Sequence, residues 1–267
     1  MRAKQGKMTM IRLVYLFLFV VVFYLKPLVS LEVAPQTAAL IAQKIWKNEC
    51  NESVSGLTHW NKGEKFPSMG IGHFIWYPEG VEDCFEQTFP QLLSFFKSQG
   101  AVLPSWLDKT EGCPWKSRED FYRDIHSPQM RDLRQLLFDY RDLQAQFMIK
   151  RLETVLSEIC TCLPEEERAK ISFLIHQLIS APNGLYALID YLNFKGSGLS
   201  SEESYQGHRW GLLQVLQQMA ARPIVNDFVE AGEKVLRARV EHAPPEKNAE
   251  AHWLPGWINR LNTYLDQ

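Results

Sequence analysis

No internal repeat and no low-complexity tract runs through the chain, which excludes a solenoid or an array of small modules. Cysteine is sparse: five in 267 residues, at Cys50, Cys84, Cys113, Cys160 and Cys162. An odd count leaves a thiol over, and in an exported chain the remainder allows two disulfides that spacing does not assign. Cys160-Thr161-Cys162 is too tight for the usual zinc spacing and has no His pair nearby, so neither a metal site nor a cofactor is expected. Basic charge is scarce once the first 30 residues are set aside. Residues 31–267 carry 24 Lys/Arg against 31 Asp/Glu, a net charge of −7, which excludes a nucleic-acid binder.

What is present begins with those first 30 residues. Arg2, Lys4, Lys7 and Arg12 precede the apolar run Leu13 to Leu25, and Lys26-Pro27 follows. Thirteen apolar residues are short for a bilayer span and suit the hydrophobic region of an export signal. No clean small-x-small cleavage site follows, so residues 1–30 read as a signal peptide or an N-terminal membrane anchor. The chain, at 267 residues and 46% hydrophobic content overall, is long and apolar enough to bury a full core.

Helical periodicity dominates it. Thr37 to Cys50 puts Leu40, Ile41, Ile45 and Trp46 on one side, with Glu49 in the last turn. A carboxylate there faces the negative end of the helix dipole, which favours its protonated form, the state a general acid needs. Phe85 to Gln99 reads as a short helix ended by Gly100, and residues 101–117 as a loop pinned by Trp106 and Trp115. Arg131 to Cys160 is the longest pattern, with no internal Gly or Pro, and predicts one continuous helix. Pro164 opens a helix bearing Ile171, Leu174, Ile175 and Leu178, beside which His176 reads as a core histidine. Further helices are expected over 184–194, 223–241 and 254–265.

One stretch departs from this pattern. Asn61-Lys62-Gly63-Glu64 is a turn signal, and in Ser68-Met69-Gly70-Ile71-Gly72-His73-Phe74-Ile75 the apolar residues suit a short strand whose glycines leave room for a ligand. Residues 57–77 are therefore expected to form a β-hairpin.

The string Ser68 to His73, following a Glu that closes the first helix, resembles the phage-type lysozymes, a family of glycoside hydrolases. There the catalytic Glu ends a helix and a hairpin follows whose second strand reads Thr-Ile-Gly-hydrophobic-Gly-His. The resemblance covers residues 41–77, with a fainter similarity at Leu254-Pro255-Gly256-Trp257-Ile258-Asn259-Arg260, where Arg260 is expected to pair with an acid. It implies a mainly α (α+β) fold over residues 31–267 with one small β-hairpin. The hairpin lobe would span about 50–84 and the helical lobe about 118–267, with a cleft between them.

It also implies a muramidase that cleaves peptidoglycan, exported to the periplasm or anchored on the inner membrane facing it. Glu49 would be the general acid. Ser68 keeps the hydroxyl of the family's Thr, and His73 matches a scaffold position. Where the family has Asp in the hairpin turn this chain has Lys62, so Glu64, two residues on, is the second carboxylate, with Asn61 able to orient water.

A competing similarity is to the lytic transglycosylases, in Glu203-Ser204 followed by Gly211-Leu212-Leu213-Gln214. That would make Glu203 an alternative acid and transglycosylation, which needs one Glu, an alternative route. The polar loop 194–211 is expected to line the cleft, with Tyr205, Arg209 and Trp210 as substrate-binding residues. A second class of function stays open: a lysozyme-like domain without turnover that binds glycan or a partner protein.

Overall fold

The computed structural model describes residues 31–81, 85–110, 112–220 and 224–266. The export or anchor segment at 1–30 and Cys84 lie outside them. Pro35, which needs no amide partner in a first turn, opens helix α1 (Pro35–Cys50), and Ala38, Ile41, Ala42, Ile45 and Trp46 form its buried stripe. The helix stops because Asn51 and Glu52 adopt left-handed conformations at φ 47° and 56°. Their amides return to Lys47 O and Trp46 O, and this sharp stop fixes the direction of Glu49.

A short 3-10 helix, Val54–Leu57, leads into a three-stranded antiparallel sheet of β1 (Thr58–His59), β2 (Ser68–Met69) and β3 (Phe74–Ile75), in that spatial order. The single strand expected through 69–75 is in fact two. Gly70 at φ 73° and His73 at φ 48° are left-handed, so Gly70 to His73 turns the chain and Met69 faces Phe74 across a hairpin.

Helices α2 (Phe89–Ser98), α3 (Ser105–Asp108) and α4 (Arg118–Arg123) follow, then α5 (Pro128–Asp139) and α6 (Arg141–Cys162). The continuous helix expected over 131–160 is broken at Tyr140 (ψ 34°). Two side chains take the carbonyls the break releases: Gln144 Nε2 donates to Leu137 O at 2.6 Å, and Arg141 donates to Phe138 O. No glycine or proline was needed to break this helix.

The remaining elements are α7 (Glu165–Ser180), α8 (Gly184–Lys195), β4 (Ser204–Tyr205), β5 (His208–Arg209), α9 (Leu212–Gln218), α10 (Ile224–Glu241), a 3-10 helix Pro245–His252 and α11 (Leu254–Asn262). The β4–β5 hairpin forms a second sheet, where a single hairpin was expected in the whole chain. Gln206 and Gly207 both have positive φ, 50° and 82°, which suits a two-residue turn inside a polar loop with no strand-like run.

The fold is mainly helical, with few and small strands. Helix α1 lies along α6, which also packs on α2, α7 and α8, while α10 is sandwiched with α9 and α11. Trp115 is buried and Trp106 half-buried, edge to face at 6.4 Å, so both pin the 101–117 loop to the core. His176 lies on the exposed side of α7, with Nδ1 2.7 Å from Ser172 O, and is no core histidine. Cys50, Cys113, Cys160 and Cys162 are all free thiols, so no disulfide forms among the described residues. Nor is any helix among them long and apolar enough to cross a membrane.

Candidate functional site

Asp190 sits on α8 in an otherwise apolar run, Ala187-Leu188-Ile189-Asp190-Tyr191-Leu192, and is 0% exposed. A carboxylate so placed is stable only if paired. Its partner is Arg260 on α11, which donates from Nε to Oδ2 and from Nη2 to Oδ1, both at 2.8 Å; the Tyr264 hydroxyl adds a bond of 2.6 Å to Oδ2. The same Nη2 reaches Glu49 Oε1 at 2.5 Å. On the other side His73 Nδ1 is 3.2 Å from Glu49 Oε2. Elements far apart in the chain thus converge on one carboxylate: the end of α1, the β2–β3 turn, α8 and α11.

The helix-end position leads one to expect a protonated Glu49, but its neighbours reverse this. Burial pushes its pKa up, yet Arg260, His73 and Lys195 together hold it below the ordinary carboxylate value. Burial also lowers the His73 pKa, against the pull of Glu49. The resting pair is therefore an ionised carboxylate and a neutral imidazole. Arg260 stays charged because Asp190 and Glu49 outweigh the cost of its burial.

Glu64 is half-buried in the turn before β2. Asn61 Nδ2 holds its Oε1 at 3.1 Å, and Trp60 Nε1 fixes its carbonyl at 2.9 Å. Its other oxygen, Oε2, is buried with no hydrogen-bond partner among the described residues. His73 feels the charges of both Glu49 and Glu64, so the imidazole joins the two carboxylates electrostatically. Ser68 is buried in β2, paired across the sheet with His59 and Ile75. Lys62 points to solvent.

The glycines of the turn do not leave room for a ligand, because the protein fills the space itself. A Cβ on Gly70 would lie 2.1 Å from Gln144 Oε1, and one on Gly72 would lie 2.6 Å from the Phe74 ring. Gln144, 0% exposed on α6, accepts the Ile71 amide at 2.8 Å and so braces the turn that carries His73.

Tyr205 and Trp210 gather on a second ionic cluster, and Arg209 lies apart from it. Arg239 of α10 forks onto Glu250 at 2.7 and 2.9 Å, and Tyr205 donates to Glu250 Oε1 at 2.8 Å. Trp210 is 8% exposed, with the Arg239 guanidinium 4.0 Å from its ring centroid and the Tyr205 ring 4.7 Å away. Arg209 donates weakly to the carbonyls of Gly198 and Leu199. Glu203 is half-buried, and burial raises its pKa against the pull of Arg239.

Gly211-Leu212-Leu213-Gln214 acts as a clasp. Gln214 accepts the Gly211 amide at 3.0 Å and donates to Gly198 O at 3.2 Å, while Leu212 N and Leu213 N reach Gly196 O and Ser197 O.

Asp190, Tyr264 and Gln144 were not picked out from the sequence, although an aspartate within an apolar helical run signals a buried pair. No three His, Cys, Asp or Glu side chains gather as a metal ion would require among the described residues. No protein-family model matches the chain, and neither the curated proteins nor the solved structures give a match.

Proposed function

We propose that the protein is a lysozyme-like glycosidase that cleaves peptidoglycan in the cell envelope, with Glu49 as the general acid. The observation that carries this reading is the pairing of Glu49 at the end of α1 with His73 from the sheet segment, fixed from behind by Arg260 and Asp190, with the charge of Glu64 also felt at His73. In this reading the sheet-bearing segment and the helical remainder are two lobes flanking the substrate. Residues 1–30 export or anchor the chain.

Cleavage needs a proton on the leaving oxygen and an attack from the other face of the sugar. Glu49 delivers the proton. Glu64, whose Oε2 is unpartnered, takes a proton from the attacking water, and the Ser68 hydroxyl holds that water. Asp190 and Tyr264 are positioning residues that aim Arg260. Because Glu49 rests ionised, the working enzyme must first load a proton onto the Glu49–His73 pair, which favours activity below neutral pH. If Glu64 proves dispensable, the sugar's own hydroxyl attacks and the product is an anhydro-sugar, as in a lytic transglycosylase.

The depressed pKa of Glu49 and Lys62 at the family's Asp position favour a second reading, a domain that binds glycan or a partner without turnover. The test is release of soluble fragments from peptidoglycan by the full-length protein. Glu49→Gln should lower the rate by ~10² to 10⁴ while the thermal midpoint is retained. A protein that pellets with peptidoglycan but releases nothing supports the binding module instead.

A further inference from the structure

Between the two ionic clusters, Lys195 belongs to neither. It is the last residue of α8, and Gly196 at φ 77° turns the chain away behind it. Its ammonium lies 3.4 Å from the ring centroid of Trp257 and 4.0 Å from that of Phe194. Among the described residues it makes no hydrogen bond and no ion pair.

The charged groups that face it come from four elements: Glu49 from α1, Arg260 from α11, Arg239 from α10 and Glu250 from the second 3-10 helix. The two arginines are already committed, Arg260 to Asp190 and Glu49 and Arg239 to Glu250. That leaves three N–H donors of an ammonium, partly covered by aromatic rings, with no acceptor. Burial, then Arg239 and Arg260, pull its pKa well below that of an ordinary lysine. Next to this shelf Trp253 is 64% exposed and edge to face with Trp257 at 6.5 Å, an open ring of the kind that stacks on a sugar.

We propose that Lys195 binds a carboxylate carried by the sugar next to Glu49, so that the preferred substrate is a glycan whose sugar bears a free carboxylate, such as the lactyl group of a muramyl residue stripped of peptide. A singly charged, planar carboxylate fits this place. A doubly charged phosphate would meet stronger repulsion from Glu49 and Glu250, whose charges act on the same lysine. The inference rests on the glycosidase reading for the identity of the sugar, and its test separates the two.

The probes are two tetrasaccharides, one of alternating N-acetylglucosamine and peptide-free N-acetylmuramic acid, the other of N-acetylglucosamine alone. Calorimetry uses full-length protein carrying Glu49→Gln, so that neither is consumed. The carboxylated sugar should bind about 10- to 100-fold tighter. Adding Lys195→Met should remove that preference, and Lys195→Arg should keep part of it. If Lys195→Met unfolds the protein, the methyl ester of the carboxylated sugar on unsubstituted Lys195 makes the same comparison.

An undiminished preference in Lys195→Met, or equal affinity for acid and ester, overturns the proposal even if the protein cleaves peptidoglycan. A Lys195-dependent preference in a protein that cleaves nothing keeps the proposal and removes the glycosidase reading.

Discussion

Two glycine-rich segments of this molecule are built with the same device and differ in where its anchor comes from. In the β2–β3 turn, Gln144 accepts the Ile71 amide and occupies the space a Gly70 side chain would need. Behind β5, Gln214 accepts the Gly211 amide and occupies the space of a Gly198 side chain, 2.0 Å from where its Cβ would be. Gln144 is wholly buried and stands 73 residues from its partner; Gln214 is half-buried and three residues away. The first turn therefore holds its shape only when α6 is docked, whereas the second is closed largely by its own neighbours. The turn that carries His73 to Glu49 is the one tied to the core.

Substitutions that target the two braces should separate them. Gly70→Ala combines a left-handed backbone with a clash against a side chain that cannot leave. We expect a loss of roughly 3 kcal/mol in unfolding free energy, together with most of the activity, read by denaturant unfolding and peptidoglycan turnover. Gln144→Leu leaves the Ile71 amide and the Leu137 carbonyl unpaired in the core and should cost about 2–4 kcal/mol. Gln214→Leu exposes the same kinds of groups nearer to water and should cost about 1 kcal/mol. Equal losses in the two leucine variants would break the comparison.

Gly198→Ala should fall lower in this series than Gly70→Ala, because Gln214 can swing towards solvent. A loss as large as that of Gly70→Ala would show the clasp to be as rigid as the turn.

The smallest expected effect is on pH. The folded pKa of His73 lies below 6.5 and that of Glu49 below 4.5, so the unfolded chain binds these protons first. Stability should therefore fall on acidification, beginning below about pH 6.5 through His73 and continuing below 4.5 through Glu49. Thermal midpoints of Glu49→Gln should follow the parent down to pH 4.5 and then decline less steeply. A parallel decline would place the acid-sensitive contact elsewhere.

Most of the helices were legible because burial leaves a stripe at helical spacing, as in α1, α7 and α11. The break at Tyr140 was not, since side chains of Gln144 and Arg141 cap the interruption and neither residue signals a stop. Gly70 and Gly72 were read as leaving room for a ligand, because a sequence does not say what approaches a glycine. Here it is Gln144 and the Phe74 ring. Glu49 and His73 were legible through their spacing and do meet, while the ionisation of Glu49 was not, because it depends on Arg260, 211 residues away. Tyr205 and Trp210 were read as a sugar-facing pair. Their rings instead pack on Arg239, a partner 29 to 34 residues further along that no local pattern reveals.

The link from Glu49 to Arg260 also sets a clock. At ~5–20 residues per second, a ribosome needs roughly 10 to 40 s after making Glu49 before it makes Arg260. Through that interval Glu49 lacks the guanidinium that pairs with it, and so does Asp190 once it has been made 70 residues before Arg260; burying them then would place two bare carboxylates in the core. Closing of the nascent chain around Glu49 is thereby disfavoured until α11 has been made. The four-element cluster is therefore complete only once α11 has been made and docks.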